Sequence, residues 1–242
     1  MYFSKKTKGI VIKRRKHQEA DLILTVFSRS LGKIEVLARG LRKAKSKMAS
    51  QLELFNLAQI DLYRGRSWDL IIGAENINNF SNLKAELKKL VLVHFLAEFI
   101  DKFTPLEGRD ARLYDIFRNI LLDLNRFSKR QAYLKRFIQG EIRILDHLGI
   151  GPSLDQCLGC GSALTGGPFK LGEGGVYCSV CSAKVKYGNI IDQRIFEILV
   201  QEVQRKGEET LCNENDLEKT NLALLSFLSA ACPEQPKTLE FV

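Results

Sequence analysis

The chain has 242 residues, 45% hydrophobic and 27% charged, enough for one large domain or two to three small ones with a real core, which excludes disorder as its organising state. Its net charge of +9 is concentrated at one end: residues 1–80 hold 16 Lys/Arg against 7 Asp/Glu, and residues 81–242 hold 21 of each. A local excess of that size is the footprint of polyanion binding, and solubility alone explains only a smaller one. The longest apolar run, residues 90–100, is interrupted by His94 and Glu98 and falls far short of the roughly 20 residues of a bilayer span. The basic start leads into only the short apolar stretch 9–12, not the long core of a signal peptide, so a cytoplasmic protein with reduced thiols is expected.

In chain order, residues 1–80 predict β-structure. Segments rich in Ile, Val, Leu and Phe recur at 9–13, 22–27, 33–38, 57–63 and 68–74, and Ile34, Val36 and Ala38 alternate with Lys33, Glu35 and Leu37, as Ala58, Ile60 and Leu62 do with Gln59 and Asp61, the period of half-buried antiparallel strands. Five short strands in so few residues suit a small closed barrel, either the oligonucleotide-binding type or an SH3-like one. Between the third and fourth strands runs R-G-L-R-K-A-K-S-K, with Arg39, Arg42, Lys43, Lys45 and Lys47 basic and no acid. Such a loop repels itself, is expected to stay extended until phosphates neutralise it, and clamps a backbone without reading sequence. Lys13, Arg14, Arg15 and Lys16 make a second cluster at the end of the first strand. Tyr63, Trp68 and Phe55 are candidate stacking surfaces for bases, although core packing is the commoner use of such rings.

From residue 81 the period becomes helical. A helix capped by Ser81 or Asn82 is predicted to about Phe103, carrying Leu92, Phe95, Leu96 and Phe99 on one face and ending before Pro105 and Gly108. A second helix carries Leu113, Phe117 and Leu121, and a third carries Leu134, Phe137, Ile138 and Leu145 before Gly149. Further helices are predicted at about 190–203 and 216–231. The expected organisation is α+β: a barrel over 1–80, a helical domain over 81–152 and 190–242, and between its parts a cysteine-bearing insert over 153–189.

That insert holds Cys157-x-x-Cys160 and Cys178-x-x-Cys181 separated by seventeen residues. Each short turn presents two sulfurs about a tetrahedron's edge apart, and a hairpin brings the halves together, so the spacing predicts one structural zinc ion in a four-thiolate ribbon. Two disulfides or four separate buried thiols are the alternatives. Cys212 and Cys232 read as core filler. The insert has three bases and two acids between Pro152 and Ile190, and zinc with four thiolates adds minus two, so it is a staple and not a nucleic-acid clamp.

Catalysis finds little support. There are three His residues; no deaminase, phosphate-loop or nucleophile-elbow pattern occurs, and His94 and His147 are best placed at the edge of helix packing. A four-thiolate zinc also leaves no open position for substrate. No enzyme is expected.

Several short motifs then fall in one order: Gly9-Ile10-Val11-Ile12; Glu19-Ala20-Asp21 followed by Thr25-Val26-Phe27-Ser28; Gly32-Lys33; Ala38-Arg39-Gly40; Tyr63-Arg64-Gly65; Lys135-Arg136-Phe137 leading to Leu148-Gly149; and the two Cys pairs. In that order the chain resembles the RecO family of bacterial recombination mediator and DNA repair proteins, in its zinc-bearing branch. The tail from about Asn213 departs from the family's usual basic C-terminal segment. The resemblance implies an N-terminal oligonucleotide-binding (OB-fold) barrel, a helical domain and an embedded zinc finger. It implies binding of single- and double-stranded DNA, annealing of complementary strands and, with the partner RecR, loading of RecA recombinase onto strands covered by single-strand-binding protein, in the cytoplasm at the nucleoid. By family position the DNA surface falls on Lys33 and Arg39 with the loop from Arg42 to Lys47 beside them, to which the residue reading adds the cluster at Lys13, Arg14 and Arg15, while Lys135 and Arg136 are the family-position candidates to receive the single-strand-binding protein's acidic C-terminal tail. A zinc-ribbon adaptor that binds an acidic protein and touches no DNA is the competing expectation.

Overall fold

The computed structural model describes residues 4–186, 188–204 and 212–231; Cys232 and the end of the chain lie outside them. The chain forms two compact units, Met1–Leu122 and Asp123–Val242.

In the first unit five strands close into a barrel in the order β1-β2-β3-β5-β4: β1 Ser4–His17, β2 Asp21–Ser28, β3 Gly32–Ala38, β4 Leu57–Tyr63 and β5 Asp69–Asn78. Closure depends on β1, which is 14 residues long and pairs with β2 over Gly9 to His17 and with β4 over Ser4 to Ile10. The register skips one residue between Val11 and Lys13, the bulge that bends one strand across two partners. A parallel contact, Val36 with Asp69 and Leu37 with Leu70, shuts the remaining seam. This is the connectivity of the oligonucleotide-binding barrel, and it decides between the two barrels that strand pattern alone left open.

Every other residue of β2 points inward: Leu22, Leu24 and Val26 join Val11, Val36 and Ile60 in the barrel core. The opposite face is also buried because helices cover it. Phe27 meets Tyr114 and Phe117 at ring-centroid distances of 5.7 and 6.3 Å. The helix predicted from Ser81 to Phe103 is two helices, α1 Ser81–Lys84 and α2 Leu87–Phe103. Glu86 between them is extended at φ −115° and ψ 112°, which ends one helix and re-aims the next. Neither Ser81 nor Asn82 is the cap; the cap position is Phe80, in left-handed conformation with no side-chain cap hydrogen bond, and its N–H donates to Asn78 Oδ1 at 2.8 Å. Helix α3, Ala111–Arg126, begins where Asp110 Oδ1 accepts the Leu113 N–H at 2.8 Å.

The second unit is built on α4, Arg130–Leu148, which ends at Gly149 with φ 69°, a left-handed cap that glycine supplies without a Cβ clash. A three-stranded sheet of β6 Phe169–Gly172, β7 Gly175–Tyr177 and β8 Asn189–Ile191, in the order β7-β6-β8, carries the short helix α5 Ser179–Ser182. Ile190 therefore lies in a strand and not in a helix. Helix α6, Gln193–Gln204, starts after Asp192, whose Oδ1 accepts from the Ile195 N–H at 2.9 Å. Helix α7, Glu214–Ala231, packs against α4 and α6, and Arg130 ties α4 to it through Glu214 at 3.3 Å and Glu218 at 2.6 Å. No helix among the described residues is long and apolar enough to cross a membrane.

Candidate metal centre and nucleic-acid interface

The four cysteines converge. The first knuckle is a turn in which the Cys157 N–H donates to Ser162 O at 2.9 Å and the Gly161 N–H donates to Cys157 O at 2.8 Å. The second places Cys178 at the N-cap of α5 and Cys181 within it. All four Sγ atoms lie within 4.8 Å of one another, and Cys160 and Cys178 are 3.9 Å apart. A tetrahedral ion with metal–sulfur bonds of about 2.3 Å has edges of about 3.8 Å, whereas a disulfide needs about 2.05 Å. The thiols are free, and neither disulfides nor scattered thiols describe them. Gly159 is required by crowding: a Cβ there would stand 2.8 Å from both Cβ and Sγ of Cys181.

The donor set suits a thiolate-seeking divalent cation. Burial pushes the Cys157 thiol up, but N–H donors of Cys178, Cys160 and Gly159 outweigh it and bring the pKa to about 6; the Cys178 and Gly159 donors stand 3.3 and 3.4 Å from the sulfur. Cys181, sharing hydrogen bonds with Cys160 and Cys178, is pushed up to about 12. Four sulfurs this close cannot all shed their protons unless a positive charge sits among them.

In the first unit the two basic clusters meet at one end of the barrel. Lys16 pairs with Leu22 and Leu22 with Ala38, so the end of β1 lies one strand away from the point where Arg39 begins the loop. Lys13, Arg14, Arg15, Lys16, Arg39, Arg42, Lys43, Lys45 and Lys47 are all exposed. Lys13 meets Asp101 at 2.6 Å and Arg15 meets Glu35 at 3.8 Å, both partly solvated pairs that bind weakly. The loop is not extended, as its charge led us to expect. It is a chain of tight turns, with the Lys43 N–H on Gly40 O at 3.1 Å and the Ser46 N–H on Lys43 O at 2.9 Å. It is tied to the β1–β2 turn by the Gly40 N–H on Asp21 Oδ1 at 2.7 Å and by Arg42 on Glu19 O at 2.8 Å. Leu41 and Leu52, 2% and 0% exposed, plug it into the barrel core, and burial of that apolar surface outweighs the mutual repulsion of solvated cations.

Lys33 departs from the expected surface. It is 5% exposed, and its ammonium donates to the Asp101 carbonyl oxygen and, at 3.3 Å, to Asp101 Oδ1. Its charge is committed to anchoring β3 on α2, and it offers nothing to a strand outside. Phe55, 1% exposed with φ 64°, is packed edge-on against the His94 ring at 4.7 Å and is not a stacking platform; Tyr63 and Trp68 are half-buried. In the second unit Lys135 is half-buried and Arg136 exposed. Arg136 lies 5.9 Å from the Phe127 ring centroid and donates to Gln139 Oε1 at 3.2 Å. Cys212 is buried, and its carbonyl accepts from Gln131 at 2.6 Å.

Comparison with known proteins gives one answer along the whole length. Residues 1–80 match the family model described as Recombination protein O N terminal, and residues 84–240 match Recombination protein O C terminal. The chain is 28% identical over 240 residues to the DNA repair protein RecO of Dehalococcoides mccartyi strain CBDB1, covering 97% of this chain and 93% of that relative. It is 28% identical over 194 residues to the DNA repair protein RecO of Listeria monocytogenes serotype 4b strain CLIP80459, covering 80% and 75%, and 27% identical over 243 residues to that of Roseiflexus sp. strain RS-1, covering 98% and 84%. With its closed N-terminal barrel, its helical body and its four-cysteine cluster, this chain belongs to the RecO family of DNA repair proteins.

Proposed function

We propose that this protein is a recombination mediator that binds single- and double-stranded DNA through the basic end of its barrel and anneals complementary strands without catalysing a covalent step. The observation that carries the reading is the meeting of two exposed basic clusters, residues 13–16 and 39–47, at one barrel end. The cations lie on a scaffold pinned by Leu41 and Leu52, so little ordering entropy opposes binding. Two strands repel through their phosphates, and a surface that neutralises both lowers the cost of their encounter without reading bases. Lys13, Arg14, Arg15, Arg39, Arg42, Lys43, Lys45 and Lys47 are assigned this role. Mediation requires further contacts: RecR, RecA acted on indirectly, and the acidic tail of single-strand-binding protein at Lys135 and Arg136. The cysteines Cys157, Cys160, Cys178 and Cys181 hold one structural Zn²⁺, which cross-links the ribbon and contributes to its folding energy.

The test is titration of a labelled oligonucleotide at several salt concentrations. Changing Arg42, Lys43, Lys45 and Lys47 to Glu should weaken binding on all sequences and flatten the plot of log affinity against log salt by about 0.7 for each lost phosphate contact on a single strand. An unchanged slope would refute the basic-end reading. The adaptor reading draws on Val180 and Leu158, 80% and 43% exposed on the two knuckles, which are apolar tips suited to a protein surface. A protein with no salt-dependent affinity for any oligonucleotide would favour it.

A further inference from the structure

The barrel has a second cationic site, at the end away from the loop. A cavity of about 580 Å³ opens where the start of β1, the β2–β3 turn, β4 and the link between α2 and α3 meet, and its lining includes four cations, Lys6, Lys8, Arg29 and Arg109. Thr7, Ser30 and Gln59 complete the wall. No carboxylate, aromatic ring or aliphatic side chain lines it. Thr7 is 3% exposed, and its hydroxyl meets Ser28 Oγ and, at 2.9 Å, Ser30 Oγ; Gln59 Nε2 donates to Thr7 O at 3.3 Å.

Carboxylates outside the wall orient two of the cations. Lys6 faces Asp61 at 3.6 Å. Arg29 donates from Nε to both oxygens of Asp115, each at 3.1 Å, which leaves the terminal nitrogens of its guanidinium uncommitted among the described residues. Lys8 and Arg109 have no ion-pair partner among the described residues. Arg109 is positioned by backbone packing: a Cβ on Gly32, whose φ is +71°, would stand 2.2 Å from Gly108 O and 3.0 Å from Arg109 N. The glycine lets the α2–α3 link close on the β2–β3 turn.

We propose that this cavity binds the phosphodiester backbone of a second nucleic-acid strand. The four cations less the two flanking carboxylates leave about two positive charges, with hydroxyl and amide donors at hand, which is oxyanion chemistry. An acidic peptide with an apolar anchor would find lysine and arginine stems but no aromatic or hydrophobic aliphatic residue to seat that anchor. At a water's share of about 30 Å³ the cavity has room for far more than one tetrahedral anion, so the phosphate enters as part of a larger chain. Lys8 of the cavity lies five residues from Lys13 of the basic end along β1, roughly 16 Å, beyond the Debye length of about 8 Å at physiological salt, so the two sites attract phosphates independently. One barrel then holds both reactants of annealing, a step beyond the single basic end on which the proposed function rests.

The test pairs Lys8→Gln with Arg109→Gln, which removes the two cations that no carboxylate holds. In the background of the glutamate-reversed loop, residual binding of a short oligonucleotide should lose about 1.4 from its salt slope, two contacts at about 0.7 each, or about sevenfold in the affinity change between 50 and 200 mM salt. With the native loop, single-strand affinity should change less than twofold while annealing of complementary strands slows. An unchanged slope together with an unchanged annealing rate overturns the proposal. Should the double variant fail to fold, Lys8→Gln alone is read against half the slope change. Amide resonances of Thr7 and Lys8 that shift with inorganic phosphate but not with oligonucleotide would identify a free-anion site and overturn it, as would stronger competition by a polyglutamate peptide. If the glutamate-reversed loop binds DNA like the native protein, the basic-end reading fails while the glutamine pair still judges this one.

Discussion

Glu141 offers a measurement of what burial does to a charge in the helical unit. It sits on α4 at 0% exposure, neither carboxyl oxygen has a hydrogen-bond partner, and burial lifts its pKa well above the ordinary 4.5. On α7, packed against α4, Asn221 Oδ1 and Ser229 Oγ are likewise buried without partners. The folded protein therefore keeps a proton that the unfolded chain releases above about 4.3. The stability linked to this group is fully present below that pH and is lost as pH rises toward the folded pKa, at up to about 1.4 kcal/mol per pH unit. Glu141→Gln keeps the shape and cannot titrate. In urea melts between pH 4 and 8 the variant's stability relative to the native protein should rise with pH, with unchanged m-values. Glu141→Met, which also removes the partnerless polar atoms, should add a further 1–3 kcal/mol or so at every pH. A stability difference between Gln variant and native protein that stays constant from pH 5 to 8 would show that the carboxylate is accommodated ionised, and would refute the reasoning.

Lys33→Met should destabilise the barrel unit by about 3 kcal/mol, the low end for breaking a buried pair because Lys13 still neutralises Asp101; chemical denaturation gives the loss, and oligonucleotide affinity at a folding temperature should move less than twofold, whereas a tenfold loss would return Lys33 to the DNA surface. Elemental analysis should find one zinc per chain, lost when Cys157 and Cys178 are both changed to Ser; a native-like protein containing no metal would remove the ribbon's metal centre. Gly159→Ala drives a methyl into Cys181 and should weaken metal retention against a chelator by about tenfold or more, about 1.4 kcal/mol, while Gly161→Ala, where no atom lies within 4 Å, should act only through its left-handed φ of 72°, by about 1 kcal/mol.

Much of this architecture is legible in the chain itself, because the signals are local. Alternation marks β4, since one face of it meets the barrel core and the other is only half-buried, and the apolar run marks β3 to within a residue although both of its faces are largely covered. Two Cys-x-x-Cys pairs determine a metal-ligand cluster because each turn sets its own sulfur spacing. The ordered motifs from Gly9 to Cys181 name the family for the same reason, each being a short run whose residues are neighbours in sequence.

What the sequence could not decide is non-local. The choice of barrel rested on a parallel pairing of Val36 with Asp69, which no composition or period encodes. Lys33 reads as one more surface cation until α2 places Asp101 against it. The basic loop reads as extended until Leu41 and Leu52, eleven residues apart, are seen to share the barrel core. The second cationic cavity joins Lys8, Arg29, Gln59 and Arg109 from four separate segments, and sequence separation hides such a cluster entirely. Charge and period are properties of a segment and can be counted. Burial and pairing belong to two segments at once, and only the folded chain brings the second one to bear.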